Sequence, residues 1–349
     1  MSQRQSPEGQ LSLAAVGDVF LGTLPENTMD KVIPTLGEHD LRFCVLEGPV
    51  SDRGEAFPGK MSVHRSGAST MAAVKKAGFD IVTIANNHIL DLQQDAFLDT
   101  LDLLDEHGIQ YVGGGKEITR ARKPVIIERN GCRIAFLGYA SFYPRGFQAT
   151  ETRPGIAQVR VNPLYPPPHM DEEDLAHVLS NIEESKKQAD IVAVAYHWGI
   201  SHTRTLTAYQ TALAHLSVDA GADLVLGGHP HILQGIEVYH GKVICYSFGN
   251  FVFEWVKSFA DAPFGNTIRE TMLLTCLIED NQLKGVYFRP VVINSLGGHI
   301  LAEPELAAPD GPEFARICDT MSRLSAPLNT ELRAEDGKIW VLGNGLNDN

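Results

Sequence analysis

The stretch Leu224-Val225-Leu226-Gly227-Gly228-His229-Pro230-His231 sets the pattern: an apolar run stops on two glycines, and two histidines then flank a proline. Five other segments repeat the plan. Leu11–Val16 runs into Gly17-Asp18, Leu41–Leu46 into Glu47, and Ile81–Ala85 into Asn86-Asn87-His88. Ile191–Tyr196 leads to His197-Trp198-Gly199, and Val243–Tyr246 to Ser247-Phe248-Gly249-Asn250. Short apolar runs that alternate with helical segments read as buried, mostly parallel strands. Such sheets bind ligands outside the carboxyl ends of their strands. A carboxylate, amide or imidazole at each of several strand ends therefore predicts an α/β fold with a metal site gathered from distant sequence.

The segments between the runs support that reading. Met71–Ala77 reads as a short helix closed by Gly78. Asp95–His107 reads as a longer one, with Phe97, Leu98, Leu101 and Leu104 on one face and Gly108 as its stop. Glu172–Ala189 and Thr207–Ala220 are further helices, the second stopped at Gly221. Asn130-Gly131 between Pro124–Glu128 and Arg133–Tyr139 predicts a hairpin, so the sheets are mixed. Residues 143–170, with Pro166-Pro167-Pro168, are expected to form a long surface loop bordering the site. Thr271–Ile278 and Leu283–Val292 predict an antiparallel ribbon; a helix near Pro312–Leu324 and a strand at Lys338–Leu342 follow. The expected division is a disordered tail over 1–10, one domain over 11–299, and an extension over 300–349 that packs on the domain and ends in a frayed tail.

Composition narrows the function. A formal charge of −14 argues against nucleic acid, which would demand a basic footprint. The apolar share of 44% and charged share of 21% are ordinary for a soluble globular protein. No segment reads as a signal peptide or membrane span. The five cysteines are scattered, lack CxxC spacing and read as buried thiols, which suits a reducing compartment. A cytoplasmic protein is expected.

The chemistry follows from the donor types. Asp18 and Glu47 are oxygen ligands, Asn87 is a neutral oxygen ligand, and His197, His229 and His231 are nitrogen ligands. A mixed oxygen and imidazole set suits Mn, Fe or Zn better than Mg or Ca. Two divalent ions would outweigh two carboxylates, so the site could bind an anion and lower the pKa of a water toward neutrality. A bridging carboxylate would hold the ions roughly 3.5–4 Å apart. His88 could donate a proton to a leaving group, with Asp91 orienting its imidazole. Trp198 and Gly199 would wall the metal. His39, His64, His107, His177, His215, His240 and His299, each alone in its segment, read as ordinary packed or surface histidines.

The segments Gly17-Asp18, Leu46-Glu47-Gly48-Pro49, Ala85-Asn86-Asn87-His88, His197-Trp198-Gly199, Gly228-His229-Pro230-His231 and Ser247-Phe248-Gly249-Asn250-Phe251, in that order, resemble the CapA family of capsule and poly-γ-glutamate synthesis proteins. Those proteins are similar to calcineurin-type metallophosphoesterases. The resemblance runs from about Leu11 to about Asn294. It implies a four-layer α/β/β/α sandwich of two mixed sheets with a two-metal site at one crest. Carried over, Asp18 and His231 would bind one ion, Asn87, His197 and His229 the other, and Glu47 would bridge them. His88 would be the proton donor, and Asn250 would line the site. The phosphoesterases carry a second histidine two residues after the first aspartate. Phe20 stands there in this chain, which leaves the first ion three protein ligands, so that one ion alone could be tightly held.

Three functions compete on these residues. The first is a soluble metal-dependent hydrolase of the phosphoesterase type, acting on an anionic small molecule or polymer. In it Asn86, Trp198, His202, Arg204 and Asn250, with Arg145, would contact substrate, arginine being apt for phosphate. The second is amide hydrolysis or transfer on a γ-glutamyl compound, since activated water attacks carbon as well as phosphorus. The third is a non-catalytic accessory protein of poly-γ-glutamate or capsule synthesis.

Overall fold

The computed structural model describes residues 9–162, 169–254 and 265–346. Two large sheets organise it, with both parallel and antiparallel pairs in each. In the first, the strands Gln10–Phe20, Leu41–Leu46, Ile81–Thr83 and Gln110–Val112 run parallel and adjacent in chain order. In the second, Cys132–Ala140, Ile191–His197, Leu224–Gly228 and Lys242–Cys245 do the same. Hairpins finish both edges of the second sheet. One is Val125–Arg129 with Cys132–Ala140, turning at Asn130-Gly131 as the sequence predicts, and the other is Ile236–Tyr239 with Lys242–Cys245.

The six apolar runs are all buried, and their alternate residues feed different cores. Leu13, Ala15, Phe43, Val45 and Ile81 of the first sheet share one core with Ile134, Phe136, Ala193, Leu224 and Leu226 of the second. The opposite residues of the first sheet, Ala14, Val16, Cys44 and Val82, pack with Val74, Phe97, Leu101 and Leu104 of the helices Met71–Ala77 and Gln93–Glu106. Those of the second sheet, Leu137, Val192, Val194 and Val225, pack with Val178, Ile182, Leu213 and Val218 of Glu172–Lys186 and Ala208–Asp219. Gly78, Gly108 and Gly221 follow three of these helices with φ of 80°, 65° and 115°, the left-handed stop that glycine adopts freely.

Two expectations need correction. Residues 143–170 do not form a surface loop throughout. Phe147, Ile156, Ala157 and Val159 are buried, and Gly155–Ile156 pairs with Gly114–Gly115, because the segment carries enough apolar side chains to be drawn into the cores. The Pro166-Pro167-Pro168 run lies outside the described residues. The chain after 299 is less separate than an appended extension. His299–Leu306 spans the expected boundary and pairs with Gln282–Leu296, while Glu331–Glu335 and Lys338–Leu342 lengthen the same first sheet. The ribbon of Glu270–Glu279 and Gln282–Leu296 also belongs to that sheet. Of the expected tails, 1–8 and 347–349 lie outside the described residues, and Gln10 already opens the first strand.

Gln10–Phe20 changes partners along one edge. Gln10–Ala15 pair antiparallel with the ribbon strand Glu270–Glu279, and Asp18–Phe20 pair parallel with Asn250–Phe253. The register shifts at this point, so the strand bends where Asp18 stands. Here the chains lie so close that a Cβ on Gly17 would collide with the Gly249 carbonyl oxygen.

His39 gives the fold a pH dependence away from the site. Its Nδ1 lies 3.0 Å from the Thr35 carbonyl oxygen and its Nε2 2.9 Å from the Thr275 hydroxyl. Burial pulls its pKa below the ordinary value. Its contribution is therefore complete above about pH 6.5 and is lost as pH falls, because the unfolded chain takes up the proton first. His39→Gln is expected to flatten that acid slope. Urea unfolding of both proteins, in chelator, at several pH values between about 7.5 and 5 checks it; parallel slopes would count against it.

Candidate metal centre

Every strand-end ligand predicted from sequence arrives at one crest. Asp18 is fully buried, and its backbone N–H donates to the Gly249 carbonyl oxygen at 3.1 Å. Glu47 follows the neighbouring parallel strand, its N–H donating to the Val19 oxygen at 2.9 Å. His231 stands between these carboxylates, Nδ1 3.4 Å from Asp18 Oδ2 and Nε2 3.7 Å from Glu47 Oε1. One ligand atom from each of the three fits within a 4.8 Å group. Asn87 and His197 meet at 2.7 Å between Oδ1 and Nε2, and the His197 and His229 rings lie 4.8 Å apart. Asn250 Oδ1 lies 3.0 Å from His231 Nδ1, so this amide positions a histidine.

The backbone is strained where the imidazoles are presented. His229 and His231 have φ of 94° and 59°, a region that costs a residue with a Cβ on the order of 1–3 kcal/mol. Pro230 between them accepts the His202 N–H at 2.8 Å through its carbonyl, which ties the turn to the loop after His197. A Cβ on Gly228 would come 2.7 Å from Asp18 Oδ1, so any larger residue there would crowd the carboxylate.

His88 sits beside Glu47, Nε2 to Oε1 at 3.9 Å, while its Nδ1 is held 2.6 Å from Asp91 Oδ2. Asp91 is buried, and burial, opposed by the Lys60 ammonium, pushes its carboxyl up to about 7. Lys60 bonds the other Asp91 oxygen and the Asn87 carbonyl, and lies 3.1 Å from His88 Nδ1. Burial pulls the Lys60 ammonium down and pushes the Glu47 carboxyl up to about 8. It also lowers His88, His197 and His229 well below the usual imidazole value. His231 runs the other way: burial opposes its charge, but the Glu47 and Asp18 carboxylates outweigh it and raise the ring to about 9.

These residues fit divalent ions. Asp18 Oδ1, both Glu47 carboxylate oxygens, and Nδ1 of His197 and of His229 are buried without a hydrogen-bond partner among the described residues. Each such group costs about 1–3 kcal/mol if nothing meets it. Five such atoms in one place, oxygens and imidazole nitrogens together, are what a cation-binding crest presents. The crest opens into a cleft of about 860 Å³, lined by Asn87, His229 and His231 of the candidate ligands and by His88. Phe20, His64, Arg65, Phe142, His202 and Phe253 complete much of its wall.

Several expected substrate contacts are elsewhere. Trp198 is fully buried, stacks between Tyr196 and Tyr246, and donates its Nε1–H to the Tyr246 carbonyl. Asn86 is also fully buried and ties Leu46 O to the His88 backbone N–H. Arg204 is committed to Glu270 at 3.1 Å, and Arg145 is exposed outside the cleft wall. His202 does line the cleft. Two residues were missed from sequence: Lys60, which no spacing marks, and His64, read as an ordinary packed histidine. His299, read the same way, stands at the cleft wall and pairs with Glu254 at 3.0 Å.

Fold and site together define an α/β protein whose strand ends gather carboxylates, an amide and imidazoles over one cleft. The chain belongs to the bacterial capsule synthesis protein family PGA_cap, whose model matches residues 12–255. It is 33% identical over 264 residues to the capsule biosynthesis protein CapA of Bacillus anthracis, covering 71% of this chain and 62% of that one. To the PGA biosynthesis protein CapA of Bacillus subtilis it is 31% identical over 261 residues, covering 71% and 65%. A probable polyglutamine synthesis accessory protein of Mycobacterium tuberculosis is 30% identical over 217 residues, covering 61% and 55%. The matched part thus spans less than two thirds of each of these relatives.

Proposed function

We propose that this chain is a metal-dependent hydrolase that cleaves an anionic ester or amide, with a phosphoester or γ-glutamyl compound of capsule or poly-γ-glutamate metabolism as substrate. The observation that carries the reading is the set of buried ligand atoms from Asp18, Glu47, His197 and His229 that lack a hydrogen-bond partner among the described residues at one crest. In the fold reading that accompanies it, the two facing sheets are the inner layers of a four-layer α/β/β/α sandwich of the metallophosphoesterase type.

Asp18, Glu47 and His231 would hold one divalent ion, and Asn87, His197 and His229 a second, with Glu47 reaching both. Mn, Fe or Zn bound there would acidify a water and polarise the bond under attack. The protein's own residues divide the remaining work. Asp91 and Lys60 both engage His88 Nδ1, which leaves Nε2 as the nitrogen turned to Glu47 and the cleft. That atom would hold the proton for the leaving group. His202 and Arg65, on the wall, are placed to meet negative charge on the substrate.

Metal content and hydrolysis of an aryl phosphate, a bis-aryl phosphate and a γ-glutamyl anilide, measured on one preparation, test the reading. Turnover that needs Mn, Fe or Zn supports it, and the substrate cleaved separates phosphoester from amide chemistry. Bound metal with no turnover on any substrate would favour an accessory role, the role in the name of the mycobacterial relative. Metal removal supplies a further check. Ion at a hundredfold excess over its dissociation constant should stabilise the fold by about 2.7 kcal/mol, and chelator should reverse the gain. A melting temperature indifferent to both would sink the proposed centre.

A further inference from the structure

We propose that His64 supplies a fourth protein ligand to the ion shared by Asp18, Glu47 and His231, an inference that rests on the metal reading above. Mn, Fe and Zn take four or more donors, and this side of the crest offers three from the strand ends. Glu47, His64 and His88 form a second group whose ligand atoms all lie within 4.8 Å of one another, and Glu47 is common to both groups. A ring nitrogen of His64 therefore lies within 4.8 Å of an oxygen of the carboxylate that also faces His231.

The surroundings of His64 are those of a held ligand. Its ring is sandwiched between Phe20, at 4.1 Å and 15°, and His88, at 3.5 Å and 8°. Phe253 stands edge-on to His64 at 5.3 Å and to His231 at 5.0 Å, so one phenyl ring packs on both imidazoles. The His64 backbone N–H donates to Asp91 Oδ2 at 2.7 Å, which fixes the loop that carries it. With backbone and ring both fixed, His64 Nδ1 is still buried without a hydrogen-bond partner among the described residues. A histidine that served only packing would leave that nitrogen unmet at a cost of about 1–3 kcal/mol. His88 differs: its Nδ1 is engaged by Asp91, and its role is the proton at Nε2. Phe20 gains a purpose as the flat surface that sets the orientation of the His64 ring.

The test is ion binding. Mn²⁺ stoichiometry and affinity, and the imidazole count from X-ray absorption of Co²⁺-loaded protein, are compared between the full-length wild type and His64→Phe, which keeps the aromatic stack. One ion is expected to bind at least about tenfold more weakly, with one imidazole fewer around cobalt. His64→Gln, read the same way, serves if the phenylalanine variant does not fold. Unchanged affinity and imidazole count in a variant of a wild type that binds metal would overturn the role of His64 alone. A wild type that takes up no ion would overturn the metal reading and this one with it.

Discussion

Replacing His88 by alanine is expected to lower turnover about 10²- to 10⁴-fold, the usual yield of a positioned proton donor, while ion content stays near that of the wild type. The separation is expected because the Nε2 atom stands beside Glu47, whereas the proposed ion ligands come from other residues. Asp91 and Lys60 would be left without the imidazole they hold, but each keeps the other as partner. Steady-state kinetics on the best substrate, with metal analysis of the same samples, checks both halves. Undiminished turnover would remove His88 from the chemistry, and lost ions would reassign it to the ligand set.

Glu47→Gln is expected to separate function from stability even more sharply. Glu47 groups with Asp18 and His231 at the first proposed ion and is the proposed bridge to the second, so losing its charge should abolish tight binding of both ions and all metal-dependent turnover. In chelator, the variant should be more stable than the wild type. The carboxylate is fully buried, neither oxygen has a hydrogen-bond partner among the described residues, and Asp18 adds a second negative charge nearby. A neutral side chain of nearly the same shape relieves a penalty of about 1–3 kcal/mol. Calorimetric melting in chelator, followed by titration with Mn²⁺, measures both effects. A variant that is less stable in chelator and still binds ions would contradict the assignment of Glu47.

Much of this arrangement could be read from the sequence because parallel strands make local signals. A buried parallel strand must be apolar throughout, so the first polar residue after it marks a strand end, and strand ends share one edge of the sheet. Asp18, Glu47, Asn87, His197, His229 and His231 were legible for that reason. The period of two then explains the misplacements. Side chains of consecutive strand residues face opposite sides, so Trp198 stacks on Tyr196 while His197 turns to Asn87. Asn86 lies in the bend after the strand Ile81–Thr83, where its side chain is taken up by the Leu46 carbonyl and the His88 N–H. Lys60 and His64 were beyond reach of this reasoning. They lie in an irregular segment with no apolar run before them, and only the path of that segment over the crest brings them to His88. Arg204 was misjudged because its partner, Glu270, stands 66 residues away in the ribbon.

The change of partner along Gln10–Phe20 has a consequence in time. Asp18 is synthesised well before the segments that hold it, its backbone being held by Gly249 and its strand by residues 250–253 and 270–279. At roughly 5–20 residues per second, those segments follow on the order of tens of seconds later. The nascent chain can build helices and the Leu41, Ile81 and Gln110 strands meanwhile, but the crest stays unassembled until the ribbon docks. Long-range closure of this kind makes folding slow and late, and a half-made chain lacks the assembled crest.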